Sequence, residues 1–193
     1  MRFASITPRG KRPDRVATYT RVAIALHWII AAIIFSTFLL GLYMSELPVS
    51  PTKLRLYSYH KWIGVTIFIL VLARIAWRLF HPPPALPAMP VWQRAAAHTS
   101  HALLYLLTLA VPLAGWLFSS ASGFQTVYLG LLPLPDLIAK NKDAAELFKA
   151  AHWYLNLTML TVVVLHAGAA LKHHYVDRDD VLARMIPVIK SRS

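Results

Sequence analysis

Nine histidines and no cysteine set the chemistry open to this chain. Without thiolates, iron–sulfur clusters, thiolate zinc sites and disulfides are all excluded, so any metal must be held through nitrogen or oxygen. His152 and His166 stand fourteen residues apart in an apolar stretch. Fourteen residues are two heptads, so on a helix both imidazoles fall within about 40° of one face and about 21 Å apart along the axis. The same interval runs from His27 to Gly41, from His60 to Arg74 and from His101 to Gly115. An imidazole inside an apolar helix is costly unless its nitrogen lone pair is engaged, and an ionisable group there marks a functional site by default.

The elements that must position these residues are membrane helices. At 193 residues and 57% hydrophobic, with a mean hydropathy of +0.51, the chain is too apolar for a soluble domain and has length for one compact bundle. Four stretches, 22–43, 56–80, 95–118 and 150–171, are long enough to cross a hydrocarbon core of about 30 Å. In the second, Lys61 and Arg78 lie near the ends and can snorkel, whereas Arg74 needs a partner or a water-filled route. None of the four holds a carboxylate, which argues against a carboxylate di-metal centre, a proton relay or an ion pathway.

The net charge of +12 does not indicate nucleic acid, because no soluble domain exists to display a basic face. Charges cluster instead at the ends of the apolar stretches. With four spans, fourteen Lys and Arg fall on the side of the two termini and six (Lys53, Arg55, Lys61, Lys140, Lys142, Lys149) on the other, so both termini are expected in the cytoplasm. The organisation expected is a basic arm at 1–18, an all-α four-helix transmembrane domain at 19–185 and a short basic tail at 186–193. The arm has the flavour of a transit peptide, but the apolar run after it is too long for a signal-peptide core and lacks a small-residue cleavage site, so it reads as retained. His81 followed by three prolines, with Pro87 and Pro90, predicts a stiff, extended inner loop. The outer connection, 119–149, is partly apolar and predicts a lid over the outer mouth. Asp143 and Glu146 resemble a capping box that starts the fourth helix.

This topology gives each histidine a depth. His60 and His152 share an outer layer; His27, His101 and His166 share an inner one. The chemistry that suits the pattern is two haems b, one per layer, held by imidazoles from facing helices of a bundle core. Gly41 and Gly115 let a flat macrocycle approach the backbone, and Gly64 clears space beside His60. Arg74, at the inner layer, can pair with a haem propionate. The competing reading of any one of these histidines is a hydrogen-bonded packing residue, and of the glycines, close helix packing. Spacing does not decide which two of His27, His101 and His166 hold the inner haem.

The run from Tyr19 to Trp28 (Tyr-Thr-Arg-Val-Ala-Ile-Ala-Leu-His-Trp), His60-Lys-Trp-Ile-Gly64, His101-Ala-Leu-Leu-Tyr105, and His152 to His166 continuing into His173-His174-Tyr175 and Asp179-Asp-Val-Leu-Ala-Arg184-Met together resemble the bacterial cytochrome b561 family, in order and with matching gaps. The resemblance implies a four-helix bundle with two bis-histidine haems b, His27 with His166 for the inner and His60 with His152 for the outer. It leaves His101 and His173 near the cytoplasmic side, where related proteins bind ubiquinone; a neutral imidazole can hydrogen-bond a quinone carbonyl and pass it a proton. His98 and His174 also read as interfacial residues. Members of the family include proteins that oxidise superoxide at the outer face and reduce ubiquinone in the membrane. An excess of positive charge around the outer mouth, from Lys53, Arg55, Lys61, Lys142 and Lys149, can steer such an anion, although basic residues flanking spans are also ordinary anchors. The expected function is thus a superoxide:ubiquinone oxidoreductase, with electrons entering and leaving by outer-sphere transfer because both irons are fully ligated. The alternative is a relay subunit that passes electrons from a partner dehydrogenase or hydrogenase to quinone.

Overall fold

A computed structural model describes residues 18–186 together with 188 and 189. The basic arm expected at 1–18 and the end of the tail, with Lys190 and Arg192, lie outside the described residues except for position 18. Four long helices make up the rest: α1, Arg21–Glu46; α2, Pro51–Phe80; α3, Val91–Ala121; and α4, Lys142–Lys172, which continues into a single π turn, His173–Asp177. Each is long and apolar enough to cross a membrane. Their outward faces are apolar, with Phe35, Leu106, Val164 and Leu165 all exposed, and only a bilayer makes such surface favourable. The protein is a four-helix integral membrane bundle.

Local chemistry sets the helix starts. The Thr20 hydroxyl accepts from the Ala23 amide at 3.2 Å and the Ser50 hydroxyl from the Lys53 amide at 3.2 Å, the latter followed by Pro51 in the first turn, where a missing N–H costs nothing. For α4 the cap is Asn141, whose side chain accepts from the Ala144 amide at 2.9 Å, and not Asp143. The Asn141 amide is bonded to the Ala121 carbonyl at 2.9 Å, which ties the chain to the end of α3 and fixes the turn into the helix two residues early. Asp143 then falls in the first turn, where its charge favours the helix dipole.

The helices form two hairpins. α1 packs on α2, α3 packs most closely on α4, and α2 also packs on α3, whereas α4 has little direct packing with α1 or α2. An apolar core crosses the mid-depth of the bundle, with Ile30, Ile67 and Val71 in one cluster and Leu107, Val111 and Met159 in the other. Ile34 packs against both.

One end of the bundle carries the lid. Between α3 and α4 a two-stranded antiparallel hairpin pairs Val127 with Pro133 and Tyr128 with Leu132. Its turn places Leu129 at φ 53 and Gly130 at φ 73, a left-handed conformation that glycine adopts freely and leucine does not. The hairpin is held on α2: Trp62 Nε1 donates to the Val127 carbonyl at 2.6 Å, and the Thr66 and Tyr128 hydroxyls are 3.0 Å apart. At the other end, Trp28 Nε1 donates to the Met185 carbonyl at 2.8 Å and Arg184 Nη1 to the Ala85 carbonyl at 2.6 Å. The start of α1, the proline-rich loop and the chain after α4 therefore meet there, and the stretch from His81 to Pro90 is non-helical as its prolines require.

Candidate functional site

Two pairs of histidines face each other across the space that α4 leaves toward α1 and α2. At the lid end the rings of His60 and His152 have centres 6.1 Å apart at an interplanar angle of 81°. At the other end His27 and His166 are 6.3 Å apart at 78°. Two imidazoles bound trans to one metal through bonds of about 2 Å, each ring centre about 1 Å behind its nitrogen, stand about 6 Å apart. Both pairs meet that distance. His101 lies 5.2 Å from His166, about 1 Å short of that separation.

The lid-end rings are also oriented for ligation. His152 Nδ1 lies 2.9 Å from the Val111 carbonyl; a carbonyl only accepts, so this nitrogen carries the proton and Nε2 keeps its lone pair for a metal. His60 Nδ1 is 3.4 Å from the Thr37 hydroxyl, which serves the same orienting role. Beside these two rings is a cleft lined by Gly64, Val65, Phe68 and Trp116. A Cβ at Gly115 would lie 3.1 Å from His152 Cε1, and one at Gly41 would lie 3.3 Å from His60 Cε1. Each glycine thus seats the ring of the neighbouring helix in its own hairpin against bare backbone. Gly64 has nothing within 4 Å of such an atom, so it opens onto the cleft. The donor set, the ring separations and the cleft fit a haem held by His60 and His152.

At the other end Arg74 is braced: Nη1 donates to the Ala23 carbonyl at 2.8 Å and Nε to the Tyr105 hydroxyl at 3.3 Å. It meets no carboxylate among the described residues. Arg78, one turn on, lies 5.6 Å from the centre of the Tyr105 ring, and both arginines line a second cleft with Tyr19 and His81.

Other expected site residues have more specific surroundings than spacing alone indicated. Lys61 Nζ donates to Ser119 Oγ at 3.2 Å and to the carbonyls of Phe124 and Gln125 at 3.2 and 3.3 Å, so it clamps the lid. Lys53 Nζ donates to the Ser45 and Leu47 carbonyls, closing the end of α1. Lys149 pairs with Glu146 at 3.6 Å. Lys142 stands in the first turn of α4 and Arg55 at the start of the second turn of α2. His173 is not brought against His101; it turns to Asp179 and Asp177. His98 is exposed, while His174 is buried at 7% exposure. The groups that spacing did not reveal are the partners: Thr37, the Val111 carbonyl and Asp179. Asp179 stood within the quoted His173–Arg184 run, and a carboxylate six residues past a histidine was the available signal.

Comparison with known proteins places this geometry. The model of the prokaryotic cytochrome b561 family matches residues 18–188. Among curated proteins, the chain is similar to cytochrome b561 homolog 2 of Escherichia coli (strain K12), 34% identical over 176 residues covering 90% of this chain and 92% of that one. It is similar to a probable superoxide oxidase, CybB, of Yersinia pestis, 31% identical with 88% and 96% covered. A cytochrome b562 of Cereibacter sphaeroides is 30% identical with 87% and 94% covered.

Proposed function

The chain belongs to the prokaryotic cytochrome b561 family, a family of membrane electron-transfer proteins that bind haem b, and from that premise we propose that it holds two haems and oxidises superoxide at one membrane face while reducing ubiquinone in the bilayer. His60 and His152 would hold the haem at the lid end, and His27 and His166 the other. Bound haem supplies one-electron storage at two depths. The observation that carries the reading is the pair of matched ring separations, 6.1 and 6.3 Å, two heptads apart on α4 and set where the helices leave space. Arg74, braced and with no carboxylate partner among the described residues, supports an anionic propionate beside the His27 layer. The lid end is assigned to the periplasm and the termini to the cytoplasm of the inner membrane, from the Lys and Arg distribution. The similarity to a probable superoxide oxidase supports superoxide as the donor.

With both imidazoles of each pair committed, this chain's own residues act by binding, orienting and excluding water. The lid, clamped by Lys61 and Trp62, covers one flank of the lid-end cleft. Arg55 and Lys142 are left to attract an anion at that mouth. His101 and His173 are the proposed quinone contacts at the terminal end. The relay alternative, a subunit serving a partner dehydrogenase, draws support from the exposed apolar lid residues Phe124 and Leu131, the latter 85% exposed.

Haem content and reduced-minus-oxidised spectra of the purified protein test the cofactor reading. His60→Ala or His152→Ala is expected to remove one haem and His27→Ala or His166→Ala the other, while His101→Ala keeps both. Two haems retained in a His60→Ala or His166→Ala protein would refute the pairing. Stopped-flow mixing with a superoxide pulse then separates enzyme from relay: haem reduction no faster than in a ligand-deleted control leaves only the relay.

A further inference from the structure

Where α4 ends, the chain builds a held carboxylate against a histidine. The π turn His173–Asp177 is closed by Arg178 in the left-handed region, φ 56, and the reversal brings Asp179 back over His173. The Asp179 amide donates to the His173 carbonyl at 3.1 Å. Its Oδ2 lies 2.7 Å from His173 Nδ1, and its Oδ1 accepts from the Val181 amide at 3.0 Å. Both carboxylate oxygens are engaged, so the group cannot rotate away without losing a bond. Asp177 Oδ2 is also within 3.2 Å of Nδ1, but Lys172 Nζ holds it at 2.7 Å. The three side chains lie close enough together for a small cation; the Lys172 ammonium and the Nδ1 proton already occupy the two carboxylates, and the geometry favours a hydrogen-bonded dyad. His173 is 13% exposed at its side chain, at the end of the bundle proposed to bind quinone.

We propose that Asp179 is a positioning residue for His173 in proton delivery to the quinone, an inference that rests on the quinone-reducing reading above. Each quinone reduced takes up two electrons and two protons: the electrons come singly from the one-electron donor oxidised at the lid end, the protons from water at the terminal end. A carboxylate accepts, so Nδ1 holds its proton toward Asp179 and Nε2 is the nitrogen left for substrate. When the ring carries both protons, Nε2–H donates to a quinone carbonyl oxygen. The N–H bond breaks, an O–H bond forms, and the ring returns to its neutral Nδ1–H tautomer with the Asp179 bond intact. Water then restores the Nε2 proton for the second transfer. The carboxylate offsets the ring's charge before transfer and fixes its tautomer after it.

The test uses the purified haem-loaded protein in lipid nanodiscs, a short-chain ubiquinone and superoxide pulses. Asp179→Asn should lower kcat for quinone reduction by about 10- to 100-fold, within the range for a positioned acid–base group and its orienting partner. Quinone affinity should stay within about threefold, and haem content and the rate of haem reduction by superoxide should not change. Asp179→Glu should recover part of kcat, His173→Ala should match the Asn variant, and the double variant should lose no more than either single one. A wild type that reduces quinone alongside an Asp179→Asn protein of equal kcat, or losses that add in the double variant, would overturn this inference alone. A wild type that reduces no quinone would overturn the parent reading and this one together.

Discussion

Gly115→Ala puts the smallest possible side chain into the closest contact in the lid-end site. The added Cβ would stand 3.1 Å from His152 Cε1 and 3.2 Å from Nδ1, at least ~0.4 Å inside the ~3.5 Å at which carbon atoms pack best. His152 has little room to yield, because its Nδ1 is bonded at 2.9 Å to the Val111 carbonyl, one turn before Gly115 on the same helix. Relief must either break that bond or alter the 6.1 Å separation from His60. Overpacking of this kind costs about 1–3 kcal/mol, a cost that the apoprotein sheds by turning the His152 ring off Val111 and that a ring held by haem retains. The helix-propensity gain from replacing glycine, up to ~1 kcal/mol, acts with and without haem and drops out of the affinity. The lid-end haem should therefore bind about 5- to 150-fold more weakly, at about 1.4 kcal/mol per tenfold, with the second haem unaffected.

Haem titration into apoprotein, followed by optical redox titration to separate the two centres, measures this. Two controls come from the same backbone. Gly41→Ala meets His60 at 3.3 Å, and that ring has only a 3.4 Å contact with Thr37 to restrain it, so its effect should be smaller. Gly168→Ala meets nothing within 4 Å and should bind both haems as the wild type does. Full affinity for two haems in Gly115→Ala, or equal loss in Gly168→Ala, would refute the reasoning.

Two further outcomes follow from the lid end. Lys61→Met removes three donated bonds, and with each charged bond contributing about 1.5–3 kcal/mol before solvent discounts it, amide exchange across 122–128 should speed by ~10-fold or more while the helices keep their protection; unchanged exchange would mean Lys61 does not hold the lid. If charge steers superoxide, raising ionic strength from about 0.01 to 0.15 M shortens the screening length from ~30 to ~8 Å, so haem reduction should slow several-fold. Arg55→Gln with Lys142→Gln should flatten that slope, whereas Lys149→Gln, already opposed by Glu146, should not; a slope that ignores both changes would leave the outer cations as anchors.

The number of helices and the grouping of His60 with His152 and of His27 and His101 with His166 were legible because both depend only on the length and period of apolar runs. The observed helices enclose all four expected spans and extend them, most of all α4, by eight residues at its start, from 150 to Lys142. Pairing within the terminal-end layer was not legible. Sequence spacing gives a residue's height on its own helix but not the rotation of one helix against another, and that rotation sets His27 at 6.3 Å and His101 at 5.2 Å from His166. Lys61 misled for a related reason: beside an apolar run a lysine reads as snorkelling, and the carbonyls that receive it come from a loop more than sixty residues away. The helix start at Asn141 was set by a tertiary bond to Ala121, which the local pattern of Asp143 and Glu146 could not register. Seven residues past His166, His173 would continue its face on an unbroken α-helix; the π turn widens the helix there and hands the residue to Asp179.

The packing explains why the ligands sit where they do. α4 supplies one histidine to each pair, yet it is the helix with little direct packing against α1 and α2, from which the opposing histidines come. Apolar side chains fill only the middle of the bundle, where Ile34 bridges the two clusters. Above and below that plug the helices face each other through imidazoles, whose burial is unfavourable until their lone pairs are engaged. Cofactors held there would complete the parts of the core that the side chains leave open, and their binding free energy would add to the stability of the fold, about 4 kcal/mol for a site with ligand at a thousand times its Kd. At the lid end histidine and glycine alternate around the layer, the histidine providing the bond and the glycine the room that the bond needs; at the other end Arg74 and His101 stand in the glycines' places.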